Sequence, residues 1–129
     1  MVRFTLSKQE RLSSLKDIDF LFTEGKSLTK YPLRIVWRES TKPGKSPVRV
    51  MFSVSKKKFP RAVDRNRIKR LLRESYRQLK PDLYLSFTLE TALDVGIIFT
   101  GKEMPELTLI QNSMAKALER LITQSRQPQ

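Results

Sequence analysis

The sequence predicts a single domain of mixed α and β structure, a small sheet packed by helices. Three observations predict it. Leu33–Arg38 and Val48–Ser55 alternate apolar and polar side chains, the period of half-buried strands. Residues 65–80 and 107–121 repeat apolar side chains at three and four, the period of core-facing helices. The chain has 129 residues, 39% hydrophobic and 30% charged, enough apolar material for one real core.

The first helix is expected over residues 14–25. Ser14 with Asp17 makes a capping box, Gly25 is a natural stop, and Leu15, Ile18, Leu21 and Phe22 share one side. Phe20 points elsewhere, as an exposed aromatic; Ser7 with Glu10 offers a rival, earlier start. In the first strand Leu33, Ile35 and Trp37 form one face, and Arg34, Val36 and Arg38 the other. A turn centred on Pro43–Gly44 leads to the second strand, where Val48, Val50, Phe52 and Val54 oppose Arg49, Met51, Ser53 and Ser55. Two strands so close in sequence are expected to pair antiparallel.

Pro60 blocks helix, and Asp64 is the expected N-cap of a helix over residues 65–80. On that helix Ile68, Leu71, Leu72, Tyr76 and Leu79 cover one arc. Arg65, Asn66, Lys69, Arg70, Arg73, Arg77 and Lys80 cover the adjoining arc. Residues 81–92 read either as a short helix or as an ordered loop. "DVGIIFTG" reads as a strand covered on both faces, because its apolar residues are nearly continuous. Pro105 and Glu106 open a last helix with a stripe of Leu107, Ile110, Met114, Leu118 and Leu121, and residues 125–129 form a flexible tail.

Histidine and cysteine are both absent. That excludes Ser/His/Asp and Cys/His catalysis, thiolate or imidazole metal sites, and disulfides. No catalytic or metal-ligating residue is assigned. The absence of cysteine fits the cytoplasm, no apolar run reaches the roughly 20 residues of a membrane span, and the N-terminus lacks the apolar centre of a secretory signal.

Charge is the strongest signal. Net charge is +13, and the segment from Lys56 to Lys80 holds eleven basic residues against Asp64 and Glu74, so +9 lies in 25 residues. Such a balance points to a polyanionic partner. A membrane surface would need the apolar face of the basic helix free to insert, and that face must cover the sheet. DNA read in the major groove would need several short amide side chains at the helix front, where only Asn66 stands. RNA bound through phosphates and shape fits best. Six phosphate contacts would give a log–log salt slope of about −4 to −5.

At these residues the sequence resembles a known family. "AVDRNRIKRLLRE" is similar to the signature of the bacterial ribonuclease P protein subunit: Arg-Asn-Arg, a spacer, Lys-Arg, two apolar residues, Arg-Glu. "SVSKK" and "RLSSLKDIDFLFTEG" resemble that family too, and the likeness runs in order over about residues 11–124. It implies an RNA-binding domain over residues 1–124, an α+β sandwich of ribosomal protein S5 domain 2-like type. In it the basic helix joins two parallel strands through a left-handed βαβ crossover.

The resemblance further implies a helper to a catalytic RNA that removes the 5′ leader of precursor tRNA with magnesium bound mainly by the RNA. The implied partners are that RNA and precursor tRNA, with no membrane and no protein partner. By position, Arg65, Asn66, Arg67, Lys69, Arg70 and Arg73 would contact the catalytic RNA, with Lys56 and Lys57 extending the patch. The leader would lie in a cleft between the first helix and the sheet, formed by Ile18, Phe22, Arg34, Val36, Met51 and Ser53. The family often carries aromatics where Ile18 and Val36 stand, and its glycine after "SVSKK" is replaced by a longer "KFPR". A structural RNA-binding protein, such as a ribosomal component, would share the basic helix without the cleft.

Overall fold

The computed structural model describes residues 7–40, 46–88 and 91–126. A 3-10 turn, Lys8–Glu10, precedes helix α1 (Leu15–Glu24), strands β1 (Lys26–Lys30), β2 (Leu33–Glu39) and β3 (Val48–Val54), helix α2 (Ala62–Leu85), strand β4 (Leu93–Phe99) and helix α3 (Leu107–Ser125). The strands form one sheet in the order β1-β2-β4-β3. β1, β2 and β4 run antiparallel in turn, whereas β3 and β4 are parallel and α2 is their connection.

Two sequence expectations change here. β2 and β3 do not pair, because β4 lies between them. The physical reason is burial: six of the seven β4 residues are buried, so β4 gains most from the centre, while β3 keeps Arg49 and Ser53 partly open near the edge. β1 was not expected at all. "KSLTK" has one large apolar residue, Leu28, and pairs with β2 through Leu28↔Ile35. The turn centred on Pro43–Gly44 lies outside the described residues.

One sheet face is the main core. Ile35, Val50, Val95 and Ile97 meet Ile68, Leu72 and Tyr76 of α2 and Ile110, Met114 and Leu121 of α3. The other face carries a smaller cluster of Leu12, Leu21 and Val36, flanked by Ile18, Met51 and Ile98, under α1. Ser14 caps α1 as expected, accepting a bond from the Asp17 amide at 3.4 Å. Leu15, assigned to the buried stripe, is instead 82% exposed: α1 meets the sheet through Asp17, Ile18 and Leu21.

α2 starts at Ala62, three residues before the expected start. Arg61 is the N-cap residue, and Asp64 sits in the first turn, where its charge suits the positive helix end. The helix also runs past Pro81 to Leu85, settling part of the uncertain segment as helix. Pro81 forfeits one backbone bond, and the last turn is held by buried Leu83 and by Tyr84. Residues 89–90 are outside the described set. α3 continues through Ser125, one residue into the expected tail. Among the described residues no helix is long and apolar enough to cross a membrane.

Two charged clamps lock the layers. Arg49 donates to both Asp94 oxygens at 2.8 and 2.9 Å and reaches Asp17 at 3.5 Å, tying α1 to β3 and β4. Lys80 meets Glu10 Oε2 at 2.9 Å, and Tyr84 Oη donates to the same oxygen at 2.7 Å. Lys80 is therefore buried in an ion pair, not displayed on the cationic arc. The Ser7 amide also donates to Glu10 at 2.9 Å, so both candidate helix starts are used, one for the 3-10 turn and one for α1. Burial alone would raise the Glu10 carboxyl. The Lys80, Ser7 and Tyr84 hydrogen bonds outweigh it and hold the carboxyl below its ordinary value. Burial, followed by the bond to Glu10, pushes the Tyr84 phenol well above its own.

A carboxyl lowered by folding stabilises the fold above its unfolded pKa and loses that contribution as pH falls through its folded pKa. Glu10→Gln should cost about 2 kcal/mol in urea unfolding at pH 7. The wild type and variant should converge as pH drops below about 4, where an ordinary glutamate protonates. A gap that persisted unchanged at low pH would contradict the charged clamp.

Candidate nucleic-acid interface

The candidate interface spans the exposed side of α2, the β3 edge and the second sheet face. The helix stands where it does because Ile68, Leu72 and Tyr76 must cover the sheet. That fixes residues 66, 69, 70, 73 and 77 along the flank beside β3, spaced at three and four. Asn66, Arg67, Arg70 and Arg73 are exposed, as are Lys56 and Lys57 in the preceding turn, and Lys69 is half-buried. Arg67 lies off the main flank, so the cations wrap the helix end. Arg77 is partly neutralised by Glu74 at 2.7 Å.

Arg65 is used differently from its neighbours. Its guanidinium donates to the carbonyls of Phe59 and Pro60 at 2.9 and 2.8 Å, fastening the loop that carries the lysines. Lys58 supports the same loop by donating to the Thr100 carbonyl at 2.9 Å.

The expected cleft residues fall into two neighbouring rows across the sheet. One row is Val36↔Gly96↔Met51 and the next is Arg34↔Ile98↔Ser53. α1 lies on the first row. Val36 is only 3% exposed and forms the cleft floor, while Ile18 and Met51 are half-buried at its sides. Phe22, 44% exposed, leans over Gly96 beside the second row, where Arg34 is exposed and Ser53 half-buried. The structure thus brings all six residues to one face, with Phe22, Arg34 and Ser53 reaching its open part.

Gly96 and Ile98 belong to this face and were missed. A Cβ on Gly96 would sit 3.3 Å from both Leu21 Cδ2 and Met51 Sδ, so the missing side chain makes room for α1. The alternation of β4 could have placed both residues, had its near-continuous apolar run not hidden the period. Arg11 was missed as well. It forms an isolated parallel bridge with Val50, and the Leu12 amide donates to the Val50 carbonyl at 2.9 Å. With Lys69, Arg73 and Arg77 it borders a groove of about 450 Å³ along the β3 edge. Among the described residues no three carboxylates converge as a metal site.

A family model described as Ribonuclease P matches residues 6–122. The chain belongs to the ribonuclease P protein family. The ribonuclease P protein component of Porphyromonas gingivalis is 39% identical over 120 residues, covering 92% of this chain and 87% of that protein. That of Chlorobium phaeobacteroides is 33% identical over 131 residues, covering 91% and 88%. Among solved structures, the RNase P protein of Staphylococcus aureus aligns with a TM-score of 0.71 at 25% identity, covering 88% of this chain and 96% of that one. The RNase P protein from Thermotoga maritima aligns at 0.68 and 26% identity, covering 86% and 96%. The resemblance drawn from "RNRIKRLLRE" is therefore sound, and the fold around it is that of ribonuclease P proteins.

The space between α1 and the sheet depends on how closely α1 approaches β2. Gly25 permits that approach: a Cβ there would meet the Leu21 carbonyl and lie 2.9 Å from Val36 Cγ1. Gly25→Ala should therefore destabilise the fold by about 1–3 kcal/mol, read from the denaturant midpoint. An unchanged midpoint would mean that α1 sits further from the sheet.

Proposed function

We propose that this chain is the protein subunit of ribonuclease P, joining a catalytic RNA and presenting the 5′ leader of precursor tRNA to it. The observation that carries the proposal is the adjacency of a cationic helix flank and an open, mixed-polarity sheet face, joined at the β3 edge. A folded RNA with its phosphates on Arg67, Arg70 and Arg73 would leave Phe22, Arg34 and Ser53 facing a single strand that emerges beside it.

The residues support a division of labour that the family likeness implies. The chain has no histidine or cysteine, and two of its buried carboxylates, Asp17 and Asp94, are both engaged by Arg49. Bond breaking is assigned to the RNA, with magnesium held mainly by RNA phosphates; magnesium would supply charge stabilisation at the scissile phosphate. The protein's part is positional. Arg67, Arg70, Arg73, Lys56 and Lys57 offset the repulsion between two RNAs, Arg65 keeps the lysine loop in place, and Asn66 offers an amide to a base edge or phosphate. Val36 supports the cleft from below, with Ile18 and Met51 at its sides. The assembly is assigned to the cytoplasm, where precursor tRNA is made.

Two measurements test this. Arg67→Ala with Arg70→Ala should weaken binding to the RNA subunit at least about tenfold at physiological salt and make the salt slope shallower by about 1.5–2. The far-UV spectrum should not change, since both side chains are exposed. Normal assembly of that variant would reject the site. Phe22→Ala should weaken binding of precursor tRNA to the holoenzyme about fivefold or more, the scale of one lost stacking contact. Mature tRNA should bind as before. Equal loss for both tRNAs would place Phe22 outside the leader path, as a purely structural RNA-binding protein requires.

A further inference from the structure

The groove along the β3 edge has a chemistry beyond that of a phosphate-binding surface. Half-buried Phe52 supplies its apolar floor beside the Val50 backbone, and Arg11, Lys69, Arg73 and Arg77 border it. Its volume of about 450 Å³ lies within the range of small-ligand sites. Among the described residues no carboxylate lines it, and of its four cations only Arg77 has an ion-pair partner, Glu74.

The backbone of β3 adds what a cationic patch lacks. Along a strand, the N–H and C=O of alternate residues point to the same side. The Val50 carbonyl points outward, since it accepts from the Leu12 amide, and the Pro47 carbonyl points inward, since it accepts from the Leu93 amide of β4. The N–H and C=O of Phe52 therefore point outward too, just past the place where the Arg11–Leu12 segment stops pairing. The Phe52 ring packs edge-on against Tyr76, with centroids 5.8 Å apart. One donor and one acceptor at fixed spacing, an apolar floor and a cationic rim match the parts of a single nucleotide: base edge, base face and phosphate.

We propose that this groove binds one unstacked nucleotide, its base edge read by the Phe52 backbone and its phosphate held by Arg11 and Arg73. The source is either a nucleotide extruded from the bound RNA or a free mononucleotide; the chemistry is the same. The inference rests on the RNA-binding function only for the first source.

The test is a titration of the isotope-labelled full chain, followed by amide NMR at constant ionic strength, with the four ribonucleoside 5′-monophosphates and with inorganic phosphate. At least one mononucleotide should shift the Phe52 amide saturably and bind about fivefold or more tighter than phosphate, as expected when stacking and edge contacts add to charge. The four bases should differ among themselves, and Arg11→Ala should weaken binding without changing the far-UV spectrum. If phosphate matches every nucleotide, or if Phe52 does not move, the groove is only a charged surface and the proposal fails.

Adding the RNA subunit separates the sources. Exclusion of the mononucleotide from the preformed complex assigns the site to an extruded nucleotide, and undiminished uptake assigns it to a free one. If the RNA subunit binds while no mononucleotide reaches Phe52, the groove is refuted and the proposed function stands. If mononucleotides bind while the RNA subunit does not, the function falls and the groove stands.

Discussion

The structure depends on one helix that does two opposed jobs. α2 must cover the sheet, and it must keep a row of cations from pushing it apart. Like charges at helical spacing cost a few tenths of a kcal/mol per pair when exposed to water and salt, roughly 0.2–0.5 each. Burying each of Ile68, Leu72, Tyr76 and Leu83 contributes about 2 kcal/mol. The apolar side wins by a wide margin, so the helix can carry a charge distribution that an isolated peptide would resist. The cations add little to the fold's stability and are available for other work.

The second sheet face is set by a different balance. α1 is short and lightly buried, with Asp17 and Leu21 as its only buried residues. Apolar area alone would hold it weakly. The bidentate Arg49–Asp94 pair, extended to Asp17, supplies direction as well as attraction, because a guanidinium fork accepts few orientations. Gly25 and Gly96 then allow the helix to settle close to the sheet. The width of the cleft thus reflects one polar clamp and two missing side chains.

Much of this was legible in the sequence, and the failures have a common cause. Periodicity placed α1, β2, β3, α2 and α3, because each sets an apolar face against a more polar one. The cationic flank was legible for the same reason, since the core stripe on α2 fixes where the charges must lie. Strand order was not legible. Pairing is decided by which strand gains most from the centre, and that comparison needs every strand at once; β1, with one large apolar side chain, gave almost no signal. Lys80 was misassigned because its partner, Glu10, lies seventy residues away in sequence. The α2 start was placed late because Asp64 looked like a cap, whereas the helix starts without any side-chain cap. The family motif, by contrast, was readable at once, because its basic residues recur at a fixed spacing around the core stripe of α2.

The burial of Lys80 also gives the molecule an electrical polarity. The pair with Glu10 closes the cationic row at the far end of α2, while Lys56, Lys57 and the positive pole of the helix gather at the near end. A polyanion approaching through dilute salt meets a directed field, not a uniform shell of charge. Such a field turns the two bodies toward each other before they touch, so encounter becomes a guided landing whose speed, and not only its final grip, responds to ionic strength.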